Sequence, residues 1–142
     1  MSEAFQIRGG KQLHGEIKPQ GAKNEALQIL CAVLLTGEEV RIKNIPDIHD
    51  VNRLIEILGD FGVKITKNAH GDYTFKADNV NFDYIKSKEF KKDGARLRGS
   101  IMLLGPMLAR FGEAYMPTPG GDKIGRRRLD THFQGFVELG AE

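Results

Sequence analysis

Hydrophobic residues recur along this chain in two patterns, with helical spacing in some segments and short runs in others. Leucines at helical spacing predict a first helix over residues 24–35. A second helix is predicted from Asp50, as its cap, through Leu58, with Gly59 and Gly62 ending it. Short apolar runs predict strands at 5–8, 13–18, 40–43, 63–66 and 73–76, the last two as a hairpin, and the lysine-rich stretch 86–92 is an exposed loop or a helix start.

The second half of the pattern repeats the first. A shift of 75 positions places Lys23 on Arg98, both at the start of an apolar segment. A shift of 78 positions places Gly62 on Gly140, and the additional residues fall in the glycine-rich segment 119–125. The pattern therefore predicts two copies of a strand–helix–strand–helix unit, with an insertion in the second copy. By this repeat, residues 140–142 correspond to the start of a strand, so we expect a truncated sequence.

Composition narrows the class of protein. The chain has 142 residues, of which 40% are hydrophobic and 28% charged, as is usual for a soluble globular domain. No apolar run approaches the ~20 residues of a membrane span, and the first residues lack a secretory signal, so a cytoplasmic protein is expected. The net charge of +2 and the short, aromatic-free run of arginines at 126–128 give little support for nucleic-acid binding.

The single cysteine and the scattered histidines argue against a metal or disulfide framework. Cys31 lies in an apolar segment, and we interpret it as a core residue rather than a nucleophile. The four histidines show no spacing typical of metal ligands, so no metal is predicted.

Three segments carry candidate chemistry: GAKNEAL at 21–27, Arg98 in GARLRGS, and PGGDKIGRRRLDTH at 119–132. A lysine and an amide at a helix start can bind an anion, although a surface lysine beside a helix cap is the commoner explanation. For Arg98 taken alone, an exposed charge with a solvated head is the commoner explanation. The third segment combines three glycines with three arginines, which favours a functional loop over an ordinary turn.

Together, in this order, the three segments resemble the amino-terminal signature segments of the UDP-N-acetylglucosamine enolpyruvyl transferase (1-carboxyvinyltransferase) family, across nearly the whole chain. The related shikimate-pathway enolpyruvyl transferases typically have a GSKS-type segment instead of GAKN and lack the PGG loop. The resemblance implies an α/β (α+β) fold of repeated βαβαββ-type units in an inside-out α/β barrel, here incomplete. Residues 1–20 would be strands of the second domain, and 21–142 about two repeats of the first domain, truncated at the C-terminus.

The resemblance also implies an activity. Members transfer the enolpyruvyl group of phosphoenolpyruvate to the 3′-hydroxyl of UDP-N-acetylglucosamine and release phosphate, a committed step of peptidoglycan synthesis, without a cofactor. The resemblance makes Lys23, Asn24, Arg98 and Arg127 substrate-binding residues, with Lys23 and Arg127 also catalytic. Arg128, Leu129, Asp130 and Thr131 would continue the nucleotide-binding segment, although Arg128 stands where the family commonly has proline.

Asp122 is the larger departure, because most members carry a catalytic cysteine at this loop position. That cysteine protonates the methylene carbon of phosphoenolpyruvate and is alkylated by fosfomycin, so the resemblance implies an aspartate acid and fosfomycin resistance. A free aspartic acid titrates near ~3.9 and a thiol near ~8.5. We therefore expect activity to fall with rising pH more steeply than in cysteine-bearing relatives.

Two alternatives to an active enzyme stay open. The chain by itself is expected to be inactive, because the family's other substrate contacts belong to the C-terminal part of the enzyme. The basic groups could also serve a non-catalytic module that binds anions or nucleotide sugars. Saturable binding of UDP-N-acetylglucosamine without turnover would favour that module.

Overall fold

The computed structural model describes residues 4–118, 120 and 128–142, which form five α-helices and a three-stranded sheet. The helices are α1 (Lys23–Ala32), α2 (His49–Asp60), α3 (Lys88–Arg96), α4 (Leu104–Phe111) and α5 (Asp130–Glu138). The strands are β1 (Glu39–Ile42), β2 (Lys64–Ala69) and β3 (Asp72–Lys76). Short 3₁₀ turns cover Val33–Leu35, Phe82–Lys86 and Arg98–Leu103.

The first two helices lie close to where the apolar spacing predicts them. The α1 helix and the 3₁₀ turn after it bury one face, including Leu30 and Leu34. The α2 helix begins at His49, so the prediction that Asp50 caps it is wrong. The N-cap is Ile48, and Asp50 lies inside the first turn, where its carboxylate pairs with Lys23 instead of binding backbone N–H groups.

The sheet is antiparallel throughout, in the order β1-β3-β2. The predicted hairpin is confirmed as β2 and β3, with the turn at Gly71 in a left-handed conformation. Across the other pair, Arg41 Nε donates to Asp72 Oδ1 at 2.9 Å, and this pairing lowers the pKa of Asp72 to about 2. The predicted strand at 40–43 is confirmed as β1.

The strands predicted at 5–8 and 13–18 are absent from the structure. Residues 4–22 contain no regular secondary structure. Their apolar side chains are exposed, at 101% for Phe5 and 94% for Ile17. An isolated pair of strands is marginal in water, and within the described chain no sheet edge receives these residues. The prediction that residues 1–20 belong to a second domain stays a prediction.

One hydrophobic core joins the sheet to the helices. Phe75 from β3, Leu54 from α2 and Met107 from α4 are all fully buried in it. Phe61 and Phe90 meet edge to face with their ring centroids 5.4 Å apart. The core thus holds α1, α2 and the 3₁₀ turn Arg98–Leu103 in a fixed arrangement, since the three pack on one another.

The ends of α2 and α5 have similar geometry at the two glycines that the predicted repeat matches, although the repeat itself stays a prediction. Gly62 N–H donates to Gly59 at 2.8 Å, and Gly140 N–H donates to Val137 at 2.9 Å. Both glycines are left-handed, with φ angles of 90° and 95°. The predicted second copy lacks a counterpart of β1. The shift of 75 would place that strand within residues 113–118, which contain no strand.

Cys31 is a core residue, as the sequence predicts. Its side chain is 1% exposed, and burial raises the pKa of the thiol, so the thiolate is scarce at neutral and moderately alkaline pH. We expect no reaction with an aromatic disulfide reagent unless the chain is unfolded. An Ile29→Cys variant is the matched control, because residue 29 lies on the same helix and is 41% exposed, and it should react quickly. Rapid labelling of the native chain at Cys31 would contradict this assignment.

Candidate functional site

Three of the residues singled out in the sequence line one cavity. Lys23, Asn24 and Arg98 meet there, in a space of about 320 Å³ that is open to solvent. The other lining residues are Leu27, Gln28, Asp50, Gly99, Ile101 and Met102. Two motifs that lie far apart in the sequence therefore form one concave surface with two fixed cations.

The start of α1 provides part of this surface. Lys23 is its first residue, and the N-cap is Ala22, which has no side chain able to accept a backbone N–H. The first N–H groups of a helix point outward and favour an anion. Lys23 and Asn24 are both exposed, so their polar ends reach solvent at the same helix end.

Close packing brings Arg98 to the same cavity. A Cβ atom on Gly99 would lie 2.9 Å from Leu27 Cδ1, so glycine permits the 3₁₀ turn to approach α1 at this distance. The Ser100 hydroxyl, which is fully buried, lies 2.8 Å from the Gly94 carbonyl oxygen and 2.6 Å from that of Leu97. These contacts fix the backbone on both sides of Arg98.

Sequence reasoning missed Asp50 as a site residue. Its carboxylate forms an ion pair with the Lys23 ammonium, and both side chains are partly exposed, at 36% and 42%. An acidic residue in the first turn of α2 is explained by the helix dipole alone, so the sequence carried no signal for this pairing.

The remaining predicted residues do not join this cavity in the described part of the chain. Arg128 and Asp130 pair with each other at 2.5 Å at the start of α5, and Thr131 follows in its first turn. Leu129 is the N-cap of α5 and packs partly against the core. Asp122 and Arg127 lie outside the described residues.

The described residues also bear on two other kinds of function, metal binding and membrane insertion. In residues 4–118, 120 and 128–142, no group of three or more acidic, histidine or cysteine side chains is placed to hold a metal ion. None of the helices in those residues has the length and apolar character needed to cross a bilayer.

The chain belongs to the EPSP synthase (3-phosphoshikimate 1-carboxyvinyltransferase) family, whose pattern matches residues 7–142. The mixed α/β arrangement with a small antiparallel sheet is accordingly a part of the enolpyruvyl transferase fold. The resemblance drawn from the three sequence segments is thus confirmed at the level of fold.

Within this family, the chain is similar to several proteins that share one name. The chain is 59% identical over 139 residues to a protein of Bacteroides thetaiotaomicron named UDP-N-acetylglucosamine 1-carboxyvinyltransferase. Proteins of the same name in Bacteroides fragilis and Porphyromonas gingivalis are 60% and 57% identical. These alignments cover 97–98% of this chain but 32% of each relative, so the chain spans about a third of their length.

Proposed function

We propose that the protein containing this chain transfers the enolpyruvyl group of phosphoenolpyruvate to the 3′-hydroxyl of UDP-N-acetylglucosamine and releases phosphate, in peptidoglycan synthesis. The names of relatives that are 57–60% identical support this reaction. The meeting of Lys23, Asn24 and Arg98 in one cavity is the observation that carries the proposal.

The charges of the cavity suit this chemistry. Both substrates carry phosphate groups and repel each other, so fixed cations are needed to bring them together. Lys23 and Arg98 supply two such cations, and Asn24 adds an amide that can donate to a substrate oxygen. We assign these three residues to substrate binding, with Lys23 also stabilising charge that develops on the leaving phosphate.

We also propose roles for the loop segment and the start of α5. Arg127 would lie between the two substrates, and Arg128, Leu129, Asp130 and Thr131 would contact the nucleotide sugar. Asp122 would donate a proton to the methylene carbon while the 3′-oxygen, losing its own proton to a base, bonds to the neighbouring carbon. The carbon–oxygen bond to phosphate would then break as a proton leaves the new methyl group, which restores the double bond. The relatives that are 57–60% identical over 97–98% of the chain, which includes this segment, support these assignments. We expect the enzyme to act in the cytoplasm and its activity to resist fosfomycin.

Residues 1–20 are proposed to pair with a second domain supplied by the remainder of the enzyme. Phe5, Ile7, Leu13 and Ile17 support this, because all four are apolar and at least 89% exposed. Such residues normally become buried when a partner surface is present.

The test is phosphate release from phosphoenolpyruvate by the complete gene product, with and without UDP-N-acetylglucosamine. We expect release that depends on the nucleotide sugar and continues at high fosfomycin concentration. Saturable binding of UDP-N-acetylglucosamine with no release would instead favour the non-catalytic module. If fosfomycin blocks a release that occurs without it, the proposed reaction stands but the proposed role of Asp122 is contradicted.

A further inference from the structure

The ion pair between Lys23 and Asp50 places a carboxylate in a cavity that would otherwise be purely cationic. Among the described lining residues, Lys23 and Arg98 carry positive charge, and Asp50 alone carries negative charge. A bound phosphate would meet Asp50 as a like charge, so this residue works against anion affinity.

Asp50 also lines a second cavity of about 240 Å³, so it stands on the wall between the two spaces. The other ionisable residues that line this second cavity are His49, Arg53, Glu56 and Arg96. Arg53 is engaged elsewhere, because its guanidinium donates to Glu56 Oε2 at 2.5 Å and pairs with Asp93. Asp50 forms its ion pair with Lys23, and both residues line the first cavity.

We propose that Asp50 is an internal counter-ion for Lys23, which holds the ammonium until a phosphate group enters the cavity and replaces the carboxylate. The inference rests on the proposed function, since it takes a phosphate-bearing substrate as the ligand. An ion pair between partly exposed groups is weak, so an incoming phosphate can displace it. The carboxylate then lowers the affinity for phosphate alone, which favours release of that product.

The experiment measures the dissociation constant of inorganic phosphate by calorimetry on the complete gene product. Asp50→Asn removes the charge and keeps the shape, and we expect phosphate to bind about threefold to tenfold more tightly. Asp50→Glu keeps the charge and should retain the wild-type constant within about twofold.

Glu25→Gln is the matched control, because it also removes a carboxylate from the first turn of a helix. Glu25 is exposed on α1 and lines a different cavity, so phosphate affinity should be nearly unchanged. Unchanged or weaker phosphate binding by Asp50→Asn would overturn the counter-ion role, and weaker binding would show that Asp50 orients Lys23 instead. If the wild-type protein binds no phosphate, the anion site itself is wrong, whereas the turnover assay tests the reaction separately.

Discussion

The Asp122→Asn variant of the complete gene product is expected to lose about a hundredfold to ten-thousandfold in enolpyruvyl transfer, because proton donation by a positioned acid contributes this much. The amide is similar in shape but cannot deliver a proton to carbon. Asp122→Cys should recover much of the activity and make the protein sensitive to fosfomycin, since a thiolate is a far better nucleophile than a carboxylate. Initial rates with and without the drug measure both effects.

The pH dependence separates the acid from a merely structural aspartate. A general acid works only when protonated, so the wild-type rate should decline as pH rises, while the Asp122→Cys rate should persist to higher pH. Asp83→Asn removes an exposed carboxylate from another element and should leave the profile unchanged. A wild-type rate that stays flat through neutrality, with chemistry rate-limiting, would contradict the role of Asp122, as would full activity of Asp122→Asn.

Much of the fold was predictable because local patterns determine it. The α1 helix follows from leucines spaced for one buried face, and the β2–β3 hairpin follows from two apolar runs around a glycine turn. The strands predicted at 5–8 and 13–18 failed for the opposite reason. Their apolar residues suit strands, but a strand forms only when another strand accepts its hydrogen bonds, and sequence alone does not identify the partner.

The candidate site was predictable in part. The repeat placed Lys23 and Arg98 at equivalent helix starts, and the fold brings both to one cavity. Asp50 was mistaken for a cap, because an aspartate near a helix start has two explanations and only the packing of α1 on α2 distinguishes them. Ion pairs between distant segments depend on tertiary packing and leave no periodic signal.

Arg110→Met is expected to lower the free energy of unfolding by about 2–4 kcal/mol, since hydrogen bonds to a charged group are among the stronger ones in proteins. Arg110 Nη1 donates to the carbonyl oxygens of Leu34 at 2.9 Å and Thr36 at 3.1 Å. Its Nη2 donates to the Ala77 oxygen at 2.7 Å. One side chain of α4 thereby joins the end of the first helical segment to the segment after β3, and methionine would leave all three carbonyls without this donor.

Urea denaturation of the chain, followed by far-ultraviolet circular dichroism, measures this loss. Arg110→Lys should fall between wild type and Arg110→Met, because an ammonium keeps the charge but cannot reproduce the planar fork that reaches three acceptors. Lys86→Met is the matched control, since Lys86 meets Glu113 at 3.3 Å with both side chains more than half exposed, and it should cost at most about 1 kcal/mol. Equal stability of the Arg110→Met and Lys86→Met variants would show that the three hydrogen bonds from Arg110 do not stabilise the chain.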